Sequence, residues 1–260
     1  MSQLSLELEP TLDYELRISP RAKRLSLRVE PGRGLIVTVP KRFPRRDIPE
    51  FVESNRIWIE EALADIDQKT PEPYRQWPPR QLSLQAIGRC ANVCYLAELD
   101  RAGENSQSIH RDQQRLSLSA HSGSGELEIC VTSKPQDKLA VASELASCLV
   151  CLAQQTLPGW LAAHADRTGM CYERVSIRKQ RTLWGSYSSS GTLSLNYKLL
   201  FLHRELVDYV LLHELAHTRF LDHSPRFWNL LESIHPNAMS LDSQLKEAGR
   251  DVPPWLELAR

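Results

Sequence analysis

The sequence predicts an α+β protein, because strand-like segments dominate its first half and helix-like segments its second half. Apolar and polar residues alternate from Tyr14 to Pro40, as they do in half-buried strands. Apolar residues recur at helical spacing in later segments, most clearly from Arg204 to Phe220. Hydrophobic residues make up 42% of the 260-residue chain, enough for an ordinary globular core.

The first predicted part, residues 1–67, contains a β-hairpin followed by a helix. Alternating residues flank Pro31-Gly32-Arg33-Gly34, a turn-like stretch, and helical spacing follows over residues 45–66. This part is basic, since residues 17–56 hold eleven Lys or Arg against four Asp or Glu, a net charge of +7 in a chain whose net charge is zero. The simplest explanation is a solvated strand surface, but nucleic acid is a candidate partner.

Two further parts precede the long helices. Residues 68–80 contain four prolines, which predicts an extended linker. Residues 81–135 are predicted to be β-rich, with strands on both sides of a polar, mobile loop around residues 100–114.

The last part, residues 136–260, is predicted to be mainly helical. Its first helix covers residues 136–168, with a break expected at Pro158-Gly159. Short strands are expected around "SYSSSG", and a mostly buried helix runs from Arg204 to about Phe220. Ser224 followed by Pro225 is typical of the start of another helix.

The start of the chain has no basic, apolar leader, and no run of about 18 apolar residues occurs. We therefore expect a cytoplasmic protein without a membrane span, and the six cysteines are expected to remain thiols. Cys148 and Cys151 have C-x-x-C spacing but lie in an apolar helix, which favours core packing. Cys90 and Cys94 lack a second cysteine pair, so they support a zinc knuckle only weakly.

The stretch "VLLHELAHTRFLDHSPRFW", residues 210–228, holds the strongest chemical signal. His213 and His217 are four residues apart and share one face of a helix, where two imidazoles can bind one ion. Glu214 lies about 100° further round the helix, where a base for a water on that ion would lie. This His-Glu-x-x-His pattern is known to carry a zinc mechanism.

A third ligand is needed if one position is to remain open for water. His223 follows His217 by six residues, so a continuous helix would turn it about 240° away. The helix must therefore end first, and Asp222 is a candidate left-handed cap. The alternative is a core helix with satisfied histidines, which we disfavour because burying the carboxylate of Glu214 without a role is costly.

Residues 178–228 also carry an R-x-x-WGS stretch, a G-x-x-SLN strand, HELAH and an HS-x-x-FW tail. Together these features resemble the YgjP-like metallopeptidase family, which is related to the SprT and WLM types. The stretch "SPRAKRLSLRVEPGRGLIVTVPKR" resembles the opening of the same family, so the resemblance covers most of the chain. The chain departs from the family at Tyr187, where a cysteine is common.

The resemblance implies a zincin-like α+β fold with an N-terminal β-rich subdomain. It also implies that His213, His217 and His223 bind zinc and that Glu214 is the catalytic base. The strand "GTLSLNYKL" before the metal helix would bind substrate as an added strand. The residues implied near the cleft are Trp184, Gly185, Ser186 and Asn196, although turn formation and packing explain them equally well.

Three functions fit these patterns. The favoured one is a zinc-dependent peptidase acting on a protein or peptide, with nucleic acid as a candidate regulator. The second is a metal-dependent hydrolase of nucleotide phosphoanhydrides, in which the Arg/Lys cluster holds phosphates, although no Walker-type loop is present. The third is a non-catalytic, zinc-stabilised nucleic-acid-binding protein, which a fourth ligand from His235, Asp222 or Glu232 would favour. The substrate and the oligomeric state stay open.

Overall fold

The computed structural model describes residues 12–30, 32–98 and 127–259. The chain forms two compact units that divide after Lys69. Seven α-helices and three small three-stranded sheets in the described residues confirm the α+β class. The predicted mobile loop around residues 100–114 lies outside the described residues.

The first unit contains a sheet of strands β1 (Tyr14–Ser19), β2 (Ser26–Glu30) and β3 (Gly34–Pro40), in the order β1-β3-β2. Strands β2 and β3 pair antiparallel across the predicted turn, where Gly32 and Gly34 have φ of +75° and +73°. The strand predicted before this turn is instead two strands, and β1 pairs with β3 in parallel.

Helices α1 (Ile48–Ser54) and α2 (Arg56–Lys69) follow, where one helix was predicted. They are separated at Asn55, whose Nδ2 donates to the carbonyl of Phe51 at 2.8 Å. The unit has its own apolar core, because alternate residues of β3 and apolar residues of both helices are buried together. The core residues are Leu35, Val37, Val39, Ile48, Val52 and Ile59.

The second unit begins with α3 (Glu72–Arg75) inside the Pro-rich stretch that was predicted to be a linker. Tyr74 is buried and meets Phe201 edge to face at 6.3 Å between ring centroids. The indole Nε1 of Trp77 donates to the carbonyl of Pro135 at 2.7 Å. The stretch is therefore packed into the second unit, because its aromatic side chains find partners there.

A sheet of β4 (Gln81–Leu84), β5 (Arg89–Tyr95) and β6 (Leu127–Val131) lies next along the chain, in the order β4-β5-β6. One face of this sheet is buried in the same core as the long helix α4 (Lys138–Thr168).

Helix α4 is continuous, so the break predicted at Pro158-Gly159 does not occur. The side chain of Asp137 caps its start by accepting from Ala140 N at 3.1 Å, and Gly169, with φ of +66°, ends it. Leu157 and Leu161 are fully buried, and this packing offsets the hydrogen bond that Pro158 cannot donate. The helix is long and apolar enough to cross a membrane, a property that buried core helices share.

The remaining elements position the predicted site. Strands β7 (Arg174–Arg178), β8 (Gly185–Tyr187) and β9 (Thr192–Asn196) form a sheet in the order β7-β9-β8. Helices α5 (Arg204–Ala216), α6 (Pro225–Ile234) and α7 (Ala238–Leu245) follow. The 3-10 segments of the two units are Arg45–Asp47, Gln85–Ile87, Tyr197–Phe201, Ala248–Asp251 and Pro254–Leu258.

The mid-helix glycine of α4 gives a first prediction. Gly159→Ala should stabilise the protein by about 0.5–1 kcal/mol, because alanine restricts the unfolded chain and the added Cβ meets no atom within 4 Å apart from its chain neighbours and the helix's own backbone. Thermal unfolding should show a rise in Tm of about 2–4 °C.

The matched control is Gly191→Ala. Gly191 has φ of +77°, and an added Cβ would lie 2.4 Å from Cγ of Glu173, so this variant should lower the Tm. Equal shifts of the same sign in the two variants would contradict the explanation.

Candidate metal centre

Three histidine side chains converge at the end of α5. His213 lies in the last turn of the helix, His217 caps it, and His223 comes from the segment before α6. The Nε2 atoms of His213 and His223 are 3.0 Å apart, and the three ring centroids are separated by 5.0, 5.0 and 4.8 Å. One nitrogen from each ring lies within 4.8 Å of the others, a spacing that a single metal ion can bridge.

The chain reversal that returns His223 is a series of tight turns. Helix α5 ends at Ala216, four residues before the predicted end, and the amide of Phe220 still donates to Ala216 O at 3.1 Å. The backbone of Asp222 is not in the left-handed region. Among the described non-glycine residues, Asn237 alone has a positive φ. The predicted cap is therefore wrong, although Ser224 does occupy the N-cap position of α6.

Hydrogen bonds to the second ring nitrogen orient two of the histidines. His217 Nδ1 donates to the carbonyl of Phe220 at 2.9 Å. Tyr209 Oη donates to Asp242 at 3.1 Å and lies 3.2 Å from His213 Nδ1, so its oxygen accepts from that nitrogen. Both contacts leave Nε2 as the lone-pair nitrogen, which is how metal-binding histidines are commonly held.

Phe227 of α6 packs against all three imidazoles and is fully buried. Its ring centroid lies 4.9, 4.7 and 4.8 Å from those of His213, His217 and His223. Burial lowers the pKa of His213 to about 4 and also lowers the pKa of His217. Both imidazoles are therefore neutral at pH 7, the form that binds metals.

Glu214 is 6% exposed, and its Oε2 has no hydrogen-bond partner in the described part of the chain. Burial raises the pKa of this carboxyl group to about 8. A Cβ on Gly185 would lie 2.6 Å from Cγ of Glu214, so a larger residue at this position would displace the Glu214 side chain. A buried carboxyl without a hydrogen-bond partner, next along the helix to His213 of this cluster, fits a divalent cation and a water nearby.

The other residues implied near the cleft have different environments. Trp184 is half-buried, and its carbonyl accepts from Asn196 N at 2.9 Å. Ser186 lies opposite Ser194 in the β8–β9 ladder. The structure thus brings Gly185 to Glu214, while the contacts of Trp184 and Ser186 are those of strand pairing and packing.

Asn196, the fourth residue implied near the cleft, is held by hydrogen bonds within the chain. It is 2% exposed, and its Nδ2 donates to the carbonyls of Gln180 and Leu183 at 2.9 and 2.8 Å. Its Oδ1 accepts from Lys198 N at 3.1 Å. Its side-chain amide is thus bonded at both ends and holds the segment before β8 in place.

Tyr209, Asp242 and Phe227 are site residues that the sequence did not indicate as such. Tyr209 precedes His213 by four residues and so shares its helix face, which is a usable signal. Asp242 has no local signal, because α7 brings it to the site through tertiary packing.

Within residues 127–259 the histidine group has three members, and none of His235, Asp222 and Glu232 belongs to it. His235 Nδ1 instead donates to the carbonyl of Pro236 at 2.9 Å. A three-ligand set leaves a coordination position open, as catalytic sites do.

A second cluster joins Cys94 with Cys130 and Glu128 on β5 and β6, while Cys90 is exposed. The Sγ atoms of Cys94 and Cys130 are 2.7 Å apart. The described group thus contains Cys94 without Cys90, the other cysteine considered for a zinc knuckle.

The model of the YgjP-like metallopeptidase domain matches residues 23–248. No curated protein matches the chain. The metallopeptidase zymogen abylysin of Pyrococcus abyssi shares 28% identity over 35% of this chain and 91% of that chain, with a TM-score of 0.32. The zymogen jannalysin of Methanocaldococcus jannaschii shares 21% identity over 35% and 93%, with the same TM-score of 0.32.

The Tyr209 contact gives a second prediction. Tyr209→Phe should weaken metal affinity by about 10–100-fold, because His213 loses the partner that orients its ring. Competition with a chromophoric chelator measures this affinity. Tyr95→Phe is the control, since it removes a buried hydroxyl that donates to Pro79 O at 3.0 Å, away from the histidines. Equal metal affinities in wild type and Tyr209→Phe would show that the contact does not orient the ligand.

The pKa of Glu214 gives a third prediction for the metal-free protein. Folding raises this pKa from 4.5 to about 8, so the folded state holds the proton more tightly and wild type loses stability as pH rises through that window. Glu214→Gln avoids this loss. In the presence of a chelator, the free energy of unfolding of the variant should exceed that of wild type by about 2–4 kcal/mol at pH 8 and by much less at pH 5.

Denaturant unfolding at pH 5, 6.5 and 8 measures the difference. Glu232→Gln, at an exposed position on α6, should stay within about 0.5 kcal/mol of wild type throughout. A stability difference for Glu214→Gln that is the same at all three pH values would contradict the assignment.

Proposed function

The chain belongs to the YgjP-like metallopeptidase family, and on this premise we propose that it is a zinc-dependent peptidase with Glu214 as its catalytic base. The observation that carries the proposal is the buried carboxyl of Glu214, which has no hydrogen-bond partner among the described residues and is next along the helix to His213 of the three convergent imidazoles. His213, His217 and His223 would hold the ion, and three imidazole nitrogen ligands suit zinc. We further propose a zincin-like arrangement, with two ligands on one helix and the third after a turn.

A bound zinc ion supplies Lewis acidity, which makes water a nucleophile near neutral pH and polarises a carbonyl group. Glu214 accepts the proton of the attacking water and then delivers it to the nitrogen of the leaving amine. Its buried position makes the carboxylate more basic than an exposed one. Tyr209 and Asp242 keep the Nδ1 proton of His213 in place, so that its Nε2 lone pair stays available.

The substrate strand is expected at β8 instead of β9. Strand β9, predicted to take up substrate, lies between β7 and β8, so both of its edges are already paired. Strand β8 is an edge strand, and Gly185 at its start meets Glu214. An extended peptide that pairs with β8 would bring its scissile bond towards the base, which supports an unfolded protein or a flexible segment as substrate.

The fourth prediction tests the base. Glu214→Gln should retain zinc but lose hydrolysis by a factor of about 10²–10⁴, because the amide cannot accept the proton. Zinc-loaded wild type and variant are incubated with an unfolded protein, and new peptide termini are counted by mass spectrometry. Metal analysis of both proteins is the control.

Full hydrolysis by a zinc-replete Glu214→Gln protein would remove Glu214 from the mechanism. If zinc-loaded wild type produces no termini, the peptidase proposal fails. The same two proteins would then be assayed with nucleoside triphosphates.

A further inference from the structure

The sheet of the first unit is electrically polarised along its strands. At the end where β1 begins, Arg33 bonds to both Glu15 and Glu30, with Nε at 3.1 Å from Glu15 and Nη1 at 3.3 Å from Glu30. Arg28 also lies 3.5 Å from Glu30. The acidic side chains of the sheet are thus paired with arginines at this end.

The opposite end of the sheet is basic. Strands β1 and β3 run parallel, and Ser19 is paired with Pro40 where both strands end. Residues 20–25 and 41–46 therefore leave the sheet at the same end. Tight turns keep both segments close to it, because Ala22 N donates to Ser19 O at 3.2 Å and Phe43 N to Pro40 O at 3.1 Å.

Eight exposed basic residues lie on these segments and on the adjoining part of β1. This set, here called the basic end, comprises Arg17, Arg21, Lys23, Arg24, Lys41, Arg42, Arg45 and Arg46. Arg46 forms an ion pair with Asp47 at 3.3 Å. The other seven members of the set have no ion pair within the described residues 12–30 and 32–69. The remaining charges can therefore act together on a ligand.

Polar side chains extend the basic end across the outer face of the sheet. Arg17, Thr38 and Ser26 are in register on β1, β3 and β2, so their side chains form one row. The buried Val37 and Val39 flank Thr38 on β3 and point to the opposite face, into the core. Guanidinium and hydroxyl groups are common donors to phosphate oxygens.

We propose that the basic end binds the sugar-phosphate backbone of a nucleic acid, independently of the peptidase site. The charges are spread over two segments and a sheet face, and such a surface suits an extended polyanion. A single small phosphate compound would instead be expected in a concave pocket. Among the described residues between positions 17 and 46, Phe43 is the one aromatic residue, and it packs against the core of the unit. The basic end therefore offers no free aromatic ring for base stacking. Binding through phosphates without base stacking should be insensitive to sequence and steeply dependent on salt.

The test uses the full-length chain and fluorescence anisotropy with a labelled 20-nucleotide single strand and its duplex, between 50 and 200 mM KCl. Wild type should bind both probes more weakly as salt rises. Lys23→Glu/Arg24→Glu and Lys41→Glu/Arg42→Glu should each weaken binding at least about tenfold and lower the salt slope by about 1–2. Both double variants are expected to act alike because the parallel pairing places the two segments together.

The matched control is Arg89→Glu/Arg174→Glu, which makes the same change in net charge at two exposed positions of the second unit. Its affinity should stay within about twofold of wild type, and circular dichroism checks the fold of every variant. Equal losses in the control and in the two test variants would overturn the proposal, as would no binding at 50 mM KCl. The same proteins are also sedimented with vesicles containing anionic phosphatidylglycerol. A higher affinity for these vesicles than for the oligonucleotides would overturn the proposal and identify a membrane surface as the partner.

Discussion

The site depends on an energetically unfavourable arrangement. The carboxyl group of Glu214 is buried without a hydrogen-bond partner among the described residues. A carboxylate in such a place costs several kcal/mol unless it holds a proton or lies near a cation. The neutral imidazoles of His213 and His217 cannot supply that positive charge, but an ion bound to the histidine cluster can. Folding, protonation and metal binding are therefore linked, and the metal-bound protein should be the more stable form at neutral pH.

Tertiary packing fixes the position of Glu214 and of the side chains around the three histidines. The apolar face of α5 is buried in the core, so the helix cannot rotate to move Glu214 away from β8. Helix α6 brings Phe227 against the three imidazoles, and α7 brings Asp242 to Tyr209. An ion bound to the histidines would connect α5 with the segment before α6. Loss of the metal should therefore loosen the turn between these helices more than the helices themselves.

The parts that could be predicted from sequence are those that local geometry determines. Helical spacing alone places His213, His217 and Glu214 around one point, and the need for a turn brings in His223. Spacing carries no information about long-range partners, so the contact of Tyr209 with Asp242 could not be predicted. The same limit explains the errors about strands, because alternation predicts a strand but says nothing of its neighbours, and β9 proved to be central. The break predicted at Pro158 was wrong because packing outweighs a local preference.

The four short motifs of residues 178–228 act on one another through contacts that their separation in sequence conceals. Asn196 of the SLN strand holds the carbonyls of Gln180 and Leu183, which fixes where β8 begins. Gly185 of the WGS stretch is thereby held against Glu214 of HELAH, so closely that an added Cβ would displace the Glu214 side chain. Phe227 of the HS-x-x-FW tail packs against the three histidines. A change at Asn196 should therefore act on Glu214 through the position of Gly185, because the side-chain amide of Asn196 is engaged in holding this segment.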